Sequence, residues 1–126
     1  MSIVQIQIDA LKQSFPNSDV KELPDGQFLV TVSGVKLPPN DWNKQQAVVS
    51  FVVPRGYPMA NPDCFYADED LRLRSGAFPK NSSLQSQPFF SGQRLWFSWH
   101  FASWNPNRDN LLSYVRMIQK RLRQPE

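Results

Sequence analysis

One cysteine, Cys64, stands in 126 residues, a count that excludes intramolecular disulfides and cysteine-based zinc sites. A single free thiol suits the reducing cytoplasm. Glycine is scarce, 5 residues against 11 prolines, so the loops between apolar runs are punctuated mainly by proline. The opening stretch, residues 1–9, has no basic residue, and Ser2, Gln5 and Gln7 interrupt its apolar positions. It reads as neither a signal peptide nor a membrane span, and no membrane partner is expected. Charge of one sign is not concentrated either. The net charge is +3, and the one local group, Lys120, Arg121 and Arg123, falls on a helical pattern where it complements a helix C-terminus. Without a basic module interleaved with exposed aromatics, nucleic acid is not expected as a partner. No repeat or linker divides the chain, so residues 1–126 read as one domain.

Hydrophobic residues make up 40% of the sequence, and 4 Trp and 9 Phe promise a core rich in rings. Val4, Ile8, Leu11 and Phe15 have helical spacing and are followed by Pro16, which predicts a short amphipathic helix. Pro24-Asp25-Gly26 separates Val20–Leu23 from the alternating Phe28–Val32, a hairpin signature. Ala47–Val53 is a β-branched run, and Cys64–Ala67 reads as a further short strand. From about 68 to 106 no period is visible, and a stretch of that length in a small domain is usually functional. Leu111, Val115, Ile118 and Leu122 then mark a helix, with Asn107 or Asp109 as its expected N-cap. The reading is an α+β domain: a four-stranded antiparallel meander flanked by an N-terminal and a C-terminal helix.

That element order, the segment Tyr57-Pro58-Met59-Ala60-Asn61-Pro62 and the later Trp104-Asn105-Pro106 resemble the ubiquitin-conjugating-enzyme superfamily. Its "YP…P" turn joins the third and fourth strands, and its tryptophan-serine-proline opens the following helix. The block Phe97-Ser98-Trp99-His100, ahead of Trp104, is similar to the prokaryotic family E, with Phe in place of the first Trp. The resemblance implies a UBC-like fold. It also implies work beside a ubiquitin-like protein and a ubiquitin-activating-type enzyme in a bacterial conjugation system, with antiviral defence as one setting. No cofactor and no metal are expected.

The usual nucleophilic cysteine of that superfamily is missing. Counting back from Trp104 by the superfamily's spacing reaches Trp96, which cannot form a thioester. Phe78-Pro79-Lys80-Asn81 keeps only part of the upstream His-Pro-Asn signature, from which Asn81 inherits an oxyanion-stabilising role. Ser98 is the candidate acceptor, because on an extended segment His100 lies two residues away on the same side and could act as its base. An oxyester carrier is therefore expected, with Ser91 as the fallback nucleophile and Asn105 as another possible donor. The alternative is a catalytically inactive scaffold that binds the ubiquitin-like protein. Cys64 follows Asp63 and starts a strand, so it reads as a small buried hydrophobe rather than a nucleophile. Asp68, Glu69 and Asp70 read as a solvated turn rather than a metal site. Among Trp96, Phe97, Trp99, Phe101 and Trp104, half or more should be core.

Overall fold

The computed structural model describes residues 3–101 and 103–124. The helix α1 (Ile3–Ser14) buries Val4, Ile8 and Leu11, one stripe of an amphipathic helix. It stops two residues before Pro16, and the buried Phe15 extends the stripe. The strands β1 (Ser18–Glu22) and β2 (Phe28–Lys36) form the expected hairpin through Pro24-Asp25-Gly26, where Gly26 takes a φ of 85° that an L side chain would resist. β2 pairs with β3 (Gln46–Val53), and its register shifts between Val32 and Val35. Gly34, with a φ of 75°, sits in that bulge.

β4 (Phe65–Ala67), β5 (Ser82–Ser86) and β6 (Gln93–Phe97) complete the sheet. The order is β1-β2-β3-β4-β6-β5, and every neighbouring pair is antiparallel. The sheet therefore has six strands where the meander predicts four. Both extra strands come from the stretch without period. β5 reads Ser-Ser-Leu-Gln-Ser, with no β-branched or aromatic residue to announce it. It is a strand because β6 supplies a partner, Leu84 opposite Leu95 and Ser82 opposite Phe97. As an edge strand it is served by its polar side chains, which discourage pairing with another chain.

One face of the sheet carries the core. Val30, Val32, Val49, Phe51, Val53, Phe65, Ala67, Leu95 and Phe97 join the apolar stripes of α1 and α2 (Leu111–Leu122) in one buried cluster. α2 buries Leu111, Val115, Ile118 and Leu122 as the spacing predicts, together with Tyr114. Its N-cap is Asn110, not Asn107 or Asp109. Asn110 Oδ1 accepts from the Ser113 N–H at 2.9 Å, and Ser113 Oγ accepts from the Asn110 N–H at 2.8 Å, a reciprocal cap. Asp109 instead accepts from the Asn105 N–H at 2.8 Å. The Trp42 indole donates to the Leu122 carbonyl at 2.8 Å and so ties the last turn of α2 to the β2–β3 loop.

Gln7 of α1 joins distant parts of the chain. Its Oε1 accepts from the Leu111 N–H at 3.0 Å and from the Tyr57 hydroxyl. One side chain thus satisfies an otherwise orphaned amide in the first turn of α2 and anchors the Tyr57-Pro58 turn. Among the described residues no helix is long and apolar enough to cross a membrane.

Candidate functional site

The second face of the sheet is open. Tyr66 pairs with Trp96, and since their neighbours Phe65, Ala67, Leu95 and Phe97 point into the core, strand alternation turns Tyr66 and Trp96 the other way. The β5–β6 loop folds back over this face, with Phe90 and Phe89 against Tyr66 at ring distances of 5.1 and 6.2 Å. Between that loop and the β1–β2 hairpin lies a groove of about 1050 Å³, floored by Val52, Tyr66 and Trp96 and walled by Leu23, Phe89 and Asp63. Trp96, at the position counted back from Trp104, is therefore a groove residue in mid-strand.

At the Asp63 end of the groove the chain brings together most of the residues singled out from the sequence. Asn81 has a φ of 59°, a left-handed conformation that asparagine tolerates better than most residues. Arg121 of α2 donates to the Lys80 carbonyl at 2.9 Å, Ser82 Oγ donates to the Pro79 carbonyl at 2.6 Å, and the Ser98 N–H donates to the Asn81 carbonyl at 2.8 Å. The last bond extends the β5–β6 ladder by one rung and sets Asn81 beside Ser98. Ser98 is exposed. Ser91 is also exposed, but it lies in the β5–β6 loop at the far end of β6.

His100 is exposed, and its Nδ1 lies 2.5 Å from Asp63 Oδ1. A carboxylate can only accept, so in the neutral ring Nδ1 carries the proton and Nε2 keeps a lone pair. Asp63 thereby fixes the orientation and tautomer of the His100 ring. Sequence reasoning missed this contact because the two residues are 37 apart. Nothing in the local pattern of either one signals the pair. Among the described residues no hydrogen bond joins Ser98 Oγ to His100.

Cys64 departs from its reading as a buried hydrophobe at the start of a strand. It precedes β4, is only partly buried and has a φ of 60°. Its N–H donates to the Trp99 carbonyl at 2.9 Å, and its carbonyl accepts from the Tyr114 hydroxyl at 2.7 Å. Burial pushes the thiol up from its ordinary value, and the charge of Asp63 adds to the effect. Both act against a reactive thiolate.

Of the aromatic set only Phe97 is buried, fewer than the half expected, while Trp99, Phe101 and Trp104 are partly buried at the edge of the core and Trp96 lines the groove. The Trp104 indole donates to the Pro58 carbonyl at 2.7 Å, and its ring lies 5.8 Å from Tyr57 and 5.3 Å from Phe101. The two motifs that carry the resemblance are therefore in direct contact. Trp104→Phe should keep most of the ring packing and lose the donor to Pro58, a cost on the order of 1 kcal/mol. A lowered urea midpoint at unchanged slope is the expected reading. The acidic run is a turn held by Lys44, which reaches Asp70 at 2.8 Å and Asp68 at 3.6 Å.

No curated protein and no solved structure matches the chain. A family model does match, over residues 12–125, and it spans the Tyr57-Pro58 turn, the groove and the whole of the Asn81, Ser98 and His100 neighbourhood. The chain belongs to the prokaryotic E2 family E.

Proposed function

We propose that this protein is the E2-like carrier of a bacterial ubiquitin-like conjugation system, with antiviral defence as its setting, and that it holds the C-terminus of a ubiquitin-like protein as an oxyester on Ser98. The observation that carries the reading is the exposed His100, held through Nδ1 by Asp63 so that Nε2 is available, two residues beyond an exposed serine. Ser98 Oγ attacks the acyl carbon of a thioester presented by an activating-type enzyme and passes its proton to His100 Nε2. The new C–O bond forms as the C–S bond breaks, and the enzyme's thiolate leaves with the electron pair. Asn81, joined to Ser98 through its backbone, offers its side-chain amide to the developing oxyanion. Delivery to an acceptor amine forms a C–N bond as the ester C–O bond breaks, the amine gives up a proton, and Ser98 Oγ recovers its proton from His100.

A second reading is supported by the lack of a hydrogen bond between Ser98 Oγ and His100 among the described residues. In that reading the domain is a scaffold that binds the ubiquitin-like protein without charging. Incubation with the activating enzyme, ATP and the ubiquitin-like partner separates the two. The carrier gains the partner's mass less one water, in an adduct that survives thiol reductant and is cleaved by hydroxide, and Ser98→Ala abolishes it. No adduct on the wild-type chain, while the activating enzyme is itself charged, would replace the carrier with the scaffold. An adduct that persists in Ser98→Ala would reject Ser98, and peptide mapping at Ser91 and Cys64 would then locate the ester or thioester.

A further inference from the structure

Three chemically different ligand groups converge at the head of the groove. Asp63, Cys64 and His100 each present a donor atom, and these atoms all lie within 4.8 Å of one another. Consecutive residues in an extended segment point to opposite sides, so Asp63 and Cys64 would ordinarily diverge. The left-handed φ of 60° at Cys64 breaks that alternation and lets both side chains reach His100. Such a conformation persists only where its surroundings enforce it. Here the Trp99 carbonyl holds the Cys64 N–H and the Tyr114 hydroxyl holds the Cys64 carbonyl.

We propose that Asp63, Cys64 and His100 form a three-ligand site for a zinc-class divalent cation, with the fourth position open to solvent at the Asp63 end of the groove. A thiolate, an imidazole and a carboxylate are a borderline-soft set that suits zinc and cobalt rather than magnesium or calcium. The count of one cysteine excludes sites built on several thiolates. A mixed site needs only one. Three protein ligands with an open position is the pattern of zinc that meets a substrate or water rather than zinc that staples a fold.

Bond lengths of about 2.0–2.3 Å in a tetrahedral site place ligand atoms roughly 3.3–3.7 Å apart. The Asp63–His100 contact at 2.5 Å must therefore open, and the sulfur must draw in. Both changes are side-chain rotations, and Asp63 and His100 are exposed. Binding replaces the S–H bond of Cys64 with a sulfur–metal bond and releases one proton to solvent. The inference does not rest on the carrier reading, because it concerns what the three side chains bind; a bound cation takes up the Asp63–His100 pair, so the carrier reading applies to the metal-free chain.

Cobalt(II) is the probe, added to the whole chain after chelator treatment under a phosphine reductant. The expected result is a thiolate-to-cobalt charge-transfer band in the near ultraviolet with four-coordinate visible bands, saturating at one ion per chain and bleached by zinc. Cys64→Ser removes the charge-transfer band. His100→Ala and Asp63→Asn each weaken cobalt binding by at least about tenfold, and their circular dichroism stays that of the wild type. A wild-type titration to millimolar cobalt without the band overturns the proposal. So does a band of unchanged affinity in both His100→Ala and Asp63→Asn, which would reduce the site to a lone thiolate.

Discussion

His100→Ala is expected to slow formation of the ubiquitin-like adduct by about 10²–10⁴-fold, the range over which a positioned general base acts. The side chain is exposed and its recorded partner is Asp63, so the loss should come without a change in thermal midpoint. Single-turnover transfer from a charged activating enzyme is the measurement, because it isolates the chemical step from partner binding. Asp63→Asn should also slow transfer, by less, since the asparagine carbonyl can still accept from Nδ1 but carries no charge to stabilise the imidazolium. Asp63→Glu should restore part of the rate. Equal rates for wild type and His100→Ala would remove the histidine from the reaction and leave Ser98, if charged, to another base.

The largest stability effect is expected at Tyr114. It is fully buried in α2, its ring lies 4.8 Å from Phe51, 5.8 Å from Trp99 and 6.0 Å from Phe101, and its hydroxyl reaches the Cys64 carbonyl. Burial drives the phenol well above its ordinary range, so it stays a donor at any physiological pH. Tyr114→Ala should cost about 3–5 kcal/mol, the loss that follows removal of a large ring from a packed core. Tyr114→Phe is the sharper test of the site. It keeps the ring and leaves the Cys64 carbonyl without its donor, for about 1–2 kcal/mol. It should also loosen the backbone that holds Asp63 beside His100. A Tyr114→Phe protein with wild-type stability and wild-type transfer would show that the hydroxyl supports neither.

Much of this architecture is legible in the sequence where burial is periodic. The stripes of α1 and α2 and the alternation of β2 announce themselves, because each element has one face in the core and a regular repeat of apolar residues. β5 and β6 are not legible in that way. Ser82, Ser83 and Gln85 have no preference that would place them in a sheet, and Leu84 alone carries the pairing signal. The site divides similarly. Ser98, His100 and Asn81 stand within or beside recognisable motifs, but the position of His100 depends on Asp63, which the fold brings across from the far side of the Tyr57-Pro58 turn. The left-handed backbone at Cys64 is equally silent in sequence, because a non-glycine residue takes that conformation only under tertiary constraint.

The Gln7 joint also sets the order in which a nascent chain can complete itself. Its two partners, Tyr57 and Leu111, lie 50 and 104 residues downstream, and the apolar stripe of α1 shares its cluster with α2. While the ribosome is still translating β6, Val4, Ile8 and Leu11 lack the part of their cluster that α2 supplies, and of its two partners Gln7 can meet only the Tyr57 hydroxyl. Contacts of such long range close last and slowly, and an uncovered apolar stripe is what holding chaperones recognise. The first helix to be synthesised is thus sealed only when the last one docks on it.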